Sequence, residues 1–599
     1  MVMDRVRQSA AHLSDNALQV LGARYLRRDK NRRIIEGPAQ MFERVARAIA
    51  EGELLYTSPA DVRYWEDRFH TLMTSLDFLP NSPTLMNAGT ELGQLSACFV
   101  LPIEDSIESI FATLRDMAII QKTGGGTGFS FSALRPENDF IASTGGTASG
   151  PVSFMRIYDC ATENIKQGGK RRGANMGTLR FDHPDIDQFI NAKRDGKTLR
   201  NFNLSVGITD EFMSAVDTHS DISLRHPITN QEIGRRDAHE LFESICQAAW
   251  ETGDPGLLFL DTIASHNPTP EIGEIQSTNP CGEVPLLPYE SCNLGSINLP
   301  NFVLSQQAKP SVDWGRLAAV VCDGIRFLDD VISVNRFPLD SSEKITLANR
   351  KVGLGIMGFA ELCILLGISY ASDESLNLAD KLMSFISFEA RKASAMLAEK
   401  RGAFPNWKHS IYAKDNLILR NATQTSIAPT GTIAIIAGTS SGIEPLFALA
   451  YRRVNVLDRN TLIELNPLFL RYWERDSRGQ SVLDAVARCG RIDETVNVPD
   501  DVRQLFVTAL DIPPEHHVRM QAKFQRHVDN AVSKTVNLPE SATPADVSNV
   551  YRLAYQLGCK GVTVFRYGSR EEPLLELGLG ESVQEREHFA KCDPAACRV

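Results

Sequence analysis

From about residue 78 onward, short apolar runs alternate with glycine-rich turns and stretches of helical periodicity. That alternation restricts the chain to an α/β fold, because strands and helices interleaved this way pack as layers around a sheet. The runs at 96–101, 128–131, 204–208, 256–260, 296–299, 353–356, 432–436 and 561–565 read as strands, and apolar spacing predicts helices over 107–121, 238–251, 314–334, 374–401 and 545–557. Residues from about 10 to 75 read as helical: Ser14, Asp15 and Asn16 can cap a helix, and Met41, Val45, Ile49 and Leu54 recur at helical spacing. The chain thus divides into a helical region (1–77), a large α/β domain (78–570) and an acidic tail (571–599) expected to be flexible.

The net charge of −11 argues against binding nucleic acid through overall charge. No apolar run reaches the roughly 18 residues of a membrane span, and the first residues carry no signal-type apolar segment. A cytoplasmic protein without a membrane partner is expected. The 11 cysteines form no Cys-x-x-Cys pair, so no metal-ligand set is expected and they read as reduced thiols.

Two of those thiols stand out. Asn279-Pro280-Cys281-Gly282-Glu283 is followed by Glu290-Ser291-Cys292-Asn293-Leu294-Gly295-Ser296-Ile297-Asn298. Sulfur gives up and takes back a hydrogen readily, and a carboxylate two residues away can move protons at the same substrate. A tight turn with two buried structural cysteines reads equally well from this segment alone.

Glycine-rich segments offer further sites. Gly124-Gly125-Gly126-Thr127-Gly128 could turn backbone donors toward a ligand, although it lacks the dinucleotide spacing. The loop at 168–177 adds Lys170, Arg171 and Arg172 to flexible backbone and could close over phosphates or a base. Pro429-Thr430-Gly431-Thr432-Ile433 and Gly438-Thr439-Ser440-Ser441-Gly442 could hold phosphate on N–H groups and hydroxyls. Each could equally be an ordinary turn or a solvated loop. A Walker-type site does not fit, since Asn191 stands where Gly196-Lys197-Thr198 would need a glycine. Cys592 and Cys597, tethered near the C-terminus, could reduce a disulfide elsewhere by exchange.

Taken in order, these segments resemble the large catalytic chain of ribonucleotide reductases, most closely the adenosylcobalamin-dependent (class II) branch. The resemblance spans about residues 13–570 and includes Asn81-Ser82-Pro83-Thr84-Leu85-Met86-Asn87, Ser96-Ala97-Cys98-Phe99-Val100 and Lys560-Gly561-Val562-Thr563-Val564-Phe565-Arg566-Tyr567. It implies a ten-stranded α/β barrel, two five-stranded halves running antiparallel, with a finger loop through the middle and a helical segment before it. Cys281 then matches the thiyl radical that abstracts the ribose 3′ hydrogen. Glu283 matches the base for the 3′-hydroxyl, Asn279 the amide that orients the substrate, and Cys98 with Cys292 the pair that reduces the 2′ position and ends as a disulfide. Substrate phosphates fall to Pro429, Thr430, Gly431, Thr432 and Ile433 with Ser82 and Thr84. Asp105, Arg135 and Arg172 match a specificity site for a dNTP or ATP effector, which residues 174–177 would report to the substrate base. Cys592 and Cys597 match a shuttle from a thioredoxin-like or glutaredoxin-like reductant. The resemblance also implies a homodimer.

Class I relatives receive the radical from a partner protein through an adjacent tyrosine pair. This chain has no Tyr-Tyr, and the matching segment reads Phe565-Arg566-Tyr567. Adenosylcobalamin is therefore the expected cofactor and nucleoside diphosphates the expected substrates, with the class I chain as the alternative. There is no Asp-x-His-x-x-Gly, the nearest being Asp237-Ala238-His239-Glu240-Leu241-Phe242, so cobalamin would keep its own base on cobalt. The chain starts close to the helical segment, so no separate ATP-sensing domain, and no overall control by dATP through one, is expected.

Overall fold

The structure is a computed structural model. It describes residues 13–143, 145–165, 173–305, 309–457, 460–474, 476, 478–492, 494, 496–569 and 575–579. Arg172, Cys592 and Cys597 lie outside the described residues. No described helix is long and apolar enough to cross a membrane.

The N-terminal region is helical as its periodicity requires. Helices Pro38–Ala50 and Pro59–Thr74 each begin with proline in the first turn, where a missing N–H costs nothing. Their apolar faces, including Met41, Val45, Ile49, Phe69 and Met73, are buried against the long helix Trp314–Val334. A buried charge cluster joins the two regions. Arg401 reaches Glu53 at 2.6 Å, Asp329 at 2.7 Å and Asp330 at 2.6 Å, and Arg326 also pairs with Glu53. Removing one member would strand the others in a low-dielectric interior.

The α/β region is built on β1 (Phe78–Pro80), β2 (Cys98–Leu101), β3 (Gly126–Ser130), β4 (Asn175–Arg180), β5 (Phe202–Ile208), β6 (Gly256–Phe259), β7 (Ser291–Asn298), β8 (Val352–Met357), β9 (Ala450–Leu457), β10 (Asn460–Leu465), β11 (Thr535–Leu538), β12 (Gly561–Arg566) and β13 (Leu575–Leu577). Strands β2 to β6 run parallel in sequence order. Such strands need crossovers, and the helices Ile107–Thr123, Gly150–Asn164 and Ala238–Thr252 lie between them in the chain. Beyond β6 the direction reverses: β12 pairs with β6 antiparallel and with β11 parallel. At the other edge, β7 pairs with β2 antiparallel and with β8 parallel, while β1 lies along β7. These ten strands form one sheet. Two isolated parallel bridges, Leu354 with Thr425 and Ile427 with Val532, continue the pairing from β8 toward β11.

Three expectations are corrected. The run 432–436 is not a strand but part of helix Gly431–Ala437, bounded by Thr430 and Gly438 in left-handed backbone. Ile433, Ala434, Ile435 and Ile436 are all buried, and a short run buried all round has no period to separate helix from strand. The glycine turn at 124–128 presents no ligand-facing row of donors. Gly124 ends helix Ile107–Thr123 at φ 105°, and the N–H groups of Gly124, Gly125, Gly126 and Thr127 donate to Gln121, Ile120, Ala97 and Ala174. The tail is not structureless from 571: β13 pairs antiparallel with β9, and Leu579 is buried.

Candidate active site

The loop between Thr278 and Pro285 crosses close over the sheet at Gly128 of β3. Two glycines permit close backbone crossings here, one under the loop and one under the Ser426 segment that holds it. A Cβ on Gly128 would lie 1.8 Å from the Thr278 carbonyl oxygen, and one on Gly355 would lie 2.3 Å from that of Ser426. Val284 and Leu286 of the loop pack in a small inner cluster with Cys98, Val100, Cys292, Leu294 and Ala428.

Asn279 organises the loop tip. Its Oδ1 accepts from the Val284 N–H at 3.0 Å, while its Nδ2 donates to Glu283 Oε2 at 2.7 Å and contacts Cys98 Sγ at 3.1 Å. The Glu283 carbonyl accepts from Ser426 Oγ at 2.8 Å and from the Ala531 N–H at 2.9 Å. The Pro280 carbonyl, one peptide before Cys281, accepts from Asn203 Nδ2 at 2.7 Å. Cys281 is thereby held on both sides. Nothing in the local sequence pattern singled out Asn203 or Ser426, because each meets the loop from a strand or segment far away in the chain.

Cys98 and Cys292 are Cα partners across β2 and β7. Both are buried and reduced. Residues so paired carry side chains on one face within the Cα separation of a disulfide.

Electrostatics separate the acid from the thiols. Burial pushes Glu283 up to about 7, opposed by the hydrogen bond from Asn279. Burial, and after it the charge of Glu283, raises the thiols of Cys98 and Cys281. Cys292 is raised by burial first and by Glu290 second. Protonated thiols hold the hydrogen that atom transfer requires, whereas a thiolate would favour nucleophilic attack. Glu290 is a structural partner: Lys351 Nζ and Asn349 Nδ2 each donate to it at 2.7 Å.

Cys281 is surrounded by protein, which desolvates its thiol, yet its side chain is open to a cavity of about 690 Å³, whereas Cys98 and Cys292 are closed off from solvent. Leu446, Phe447 and Phe565 give this cavity apolar walls, and Thr439, Ser440 and Ser441 give it hydroxyls. The turn at 438–442 is no phosphate loop. Glu361 already occupies its donors, accepting from Thr439 Oγ1 at 3.1 Å, Ser440 N at 3.1 Å and Ser440 Oγ at 2.5 Å.

The remaining expected site residues fall into two groups. Arg24 donates to Thr432 Oγ1 at 3.4 Å and adjacent Tyr25 bonds Ser82 Oγ at 2.8 Å, so 429–433 and Ser82 flank the same short segment. Thr84 is buried, with its hydroxyl on Leu95 O at 3.0 Å, and holds helix Ser82–Asn87 in place. Asp105 and Arg135 form a forked pair, with Arg135 Nε on Oδ2 at 2.7 Å and Arg135 N on Oδ1 at 2.9 Å. Residues 175–177 open β4 and are not a free loop: Asn175 is buried, taking hydrogen bonds from Gln121 and Thr127.

A family profile for the ribonucleotide reductase barrel domain matches residues 96–565, and one for the ribonucleotide reductase all-alpha domain matches residues 11–93. The chain belongs to the ribonucleotide reductase family. Within that family, a vitamin B12-dependent ribonucleoside-diphosphate reductase of Thermoplasma acidophilum is 47% identical over 635 residues, covering 96% of this chain and 82% of that protein. A vitamin B12-dependent ribonucleoside-diphosphate reductase of Mycobacterium tuberculosis H37Rv is 51% identical over 565 residues, covering 94% and 79%. Among solved structures, the alpha subunit of a class Id ribonucleotide reductase from Actinobacillus ureae superimposes with a TM-score of 0.73 at 22% identity, covering 93% of this chain and 97% of that one. At that identity the likeness to another ribonucleotide reductase speaks to the fold alone.

Proposed function

We propose that this chain reduces ribonucleoside diphosphates to 2′-deoxyribonucleoside diphosphates, using adenosylcobalamin. The observation that carries the reading is the placement of Cys281, Glu283 and Asn279 on one loop tip against the Cys98–Cys292 pair. Adenosylcobalamin, when bound, would supply through its carbon–cobalt bond the radical chemistry that converts the Cys281 thiol to a thiyl radical. The cavity offers such a group largely apolar walls at the point where Cys281 opens onto it. Pro280, Cys281, Gly282 and the hydroxyls of 439–441 would stand nearest the cofactor.

The protein's own steps follow from geometry. Cys281, as a thiyl radical, takes the 3′ hydrogen atom of the ribose. Glu283 takes the 3′-hydroxyl proton, which a carboxylate poised near neutrality does well. The 2′-hydroxyl leaves as water after protonation. Cys98 and Cys292 together give two electrons and two protons and end as a disulfide. Cys281 then returns its hydrogen to the 3′ carbon, and substrate and cofactor filling the cavity would keep water from the radical.

Pro429, Thr430, Gly431, Thr432 and Ile433 with Ser82 would hold the phosphates, Arg24 adding charge. Asp105 and Arg135, with Arg172, would hold the dNTP or ATP effector. Exposed Ile107 and Phe111, one turn apart on the helix that follows Asp105, favour a homodimer contact there. Cys592 and Cys597 would carry electrons from a thioredoxin-like or glutaredoxin-like protein, in the cytoplasm. Phe565 and Arg566 in place of a tyrosine pair disfavour a radical delivered by a second subunit. We infer also that the sheet closes into a ten-stranded barrel. Strands β2 to β6 would form one half; β7, β8, residues 425–427, β11 and β12 would form the other. The two isolated bridges support that closure.

The test is a burst experiment. The fully reduced chain, mixed anaerobically with CDP and adenosylcobalamin but no external reductant, is expected to form dCDP and a Cys98–Cys292 disulfide together. Product without loss of those two thiols would overturn the assignment.

A further inference from the structure

The segment from Ser426 to Thr432 leads away from the thiols toward the surface. Ser426 is fully buried, and its Oγ donates to the Glu283 carbonyl at 2.8 Å. Ala428 packs in one cluster with Cys98 and Cys292. Gly431 is exposed and Thr432 half-buried. A Cβ on Gly431 would meet nothing within 4 Å, so there is room for a ligand group beside it. Thr432 Oγ1 accepts from Arg24 Nη1 at 3.4 Å. A nucleotide with its ribose at the thiols and its phosphates along 430–432 therefore brings the phosphate farthest from the ribose nearest to Arg24.

Arg24 is a fixed cation rather than a loose surface one. It lies on the short helical turn Leu21–Tyr25, whose Leu21 and Tyr25 are buried. Tyr25 Oη is hydrogen-bonded to Ser82 Oγ at 2.8 Å. The preceding helix, Asp15–Val20, packs on helix Gly431–Ala437. The helical N-terminal region thus touches both segments assigned to the substrate phosphates and brings a guanidinium to them. Neither 82–84 nor 429–433 contains a basic residue. Hydroxyls and backbone N–H groups can bind one phosphate, but a second adds negative charge that they do not offset. A guanidinium does, and its planar fork matches two phosphate oxygens. We propose that Arg24 pairs with the terminal phosphate of the substrate and sets a preference for nucleoside diphosphates over monophosphates. This inference rests on the ribonucleoside-diphosphate reading above.

Equilibrium dialysis of CDP and of CMP against the full chain without cofactor, with and without added dNTP, tests it. Arg24→Met keeps most of the stem and removes the charge. It is predicted to bind CDP at least about tenfold more weakly, the effect of losing hydrogen bonds to a charged group. CMP binding stays within about threefold of the parent, so the preference for the diphosphate collapses. Melting temperature is read on each protein to verify the fold. If Arg24→Met does not fold, Arg24→Lys, which keeps the charge without the fork, carries the test with a predicted loss of about fivefold for CDP alone. A folded variant that keeps the parental ratio of CDP to CMP affinity overturns the role of Arg24 and leaves the diphosphate reading standing. Equal weakening of both nucleotides overturns it too, because that is what a merely structural residue does. A parent chain that binds CDP no tighter than CMP overturns the diphosphate reading, and the role of Arg24 with it.

Discussion

Cys98 and Cys292, 194 positions apart in sequence, face each other directly across the antiparallel junction of β2 and β7. The junction joins two groups of parallel strands, and its register, which sets the two residues directly opposite each other, puts the thiols on one face. Replacing either by serine is predicted to abolish turnover with dithiothreitol, by at least about a thousandfold, because half of a two-electron donor cannot complete the reduction. Steady-state dCDP formation measures this, and a single variant retaining a tenth of parental activity would count against the pair.

Glu283 is expected to set the acid limb of the pH profile. The proposed reaction uses the charged carboxylate, and burial holds that group near 7, so kcat/KM is expected to rise as pH increases through about 7. Stability runs the other way. A carboxyl raised on folding contributes most below its unfolded value, and the contribution is lost as pH climbs through 7. Glu283→Gln mimics the protonated form. It is predicted to be inactive yet more stable than the parent at pH 8, by on the order of 2 kcal/mol. Melting curves at pH 5 and pH 8 check the sign, and a variant less stable at pH 8 would contradict it.

Gly128 clears the path of the loop between Thr278 and Pro285. A methyl group there collides with the Thr278 carbonyl, so Gly128→Ala is predicted to cost about 1–3 kcal/mol of stability and at least about a hundredfold in turnover through a displaced Cys281. Denaturant unfolding and CDP reduction on the same variant read both. Parental values would show that the loop does not depend on this crossing.

Asp105 and Arg135 are expected to act on substrate choice rather than on rate. Asp105→Ala breaks their fork and is predicted to flatten the dependence of CDP against ADP reduction on added dNTP. Basal turnover should stay within about threefold. Unchanged effector control would remove Asp105 from that site.

Much of this arrangement was legible in the residues. The Cys281 and Cys292 segments, strands β2, β5, β6, β8 and β12, and the long helices follow from motif and periodicity. The strand read at 432–436 misled because Ile433, Ile435 and Ile436 are β-branched and buried on every side, and only the left-handed ends at Thr430 and Gly438 mark a helix. The glycines at 124–128 read as ligand-facing because composition does not reveal that a crossing backbone, at Thr278, needs the space. Asn203, Ser426 and Glu361 act across distances of 77, 143 and 79 residues to Pro280, Glu283 and Ser440. No local pattern encodes such contacts. The pairing of β13 with β9 was hidden likewise, since three residues give too short a period to distinguish from an acidic tail.

The most direct measurement is CDP reduction by the purified chain alone, with dithiothreitol, with and without adenosylcobalamin, beside Cys281→Ser. The account predicts dCDP only when the cofactor is present, without any second protein, and none from the serine variant, which still binds nucleotide. Activity that ignores the cofactor and appears only when a second protein is added would contradict it, as would sustained turnover without the Cys281 thiol.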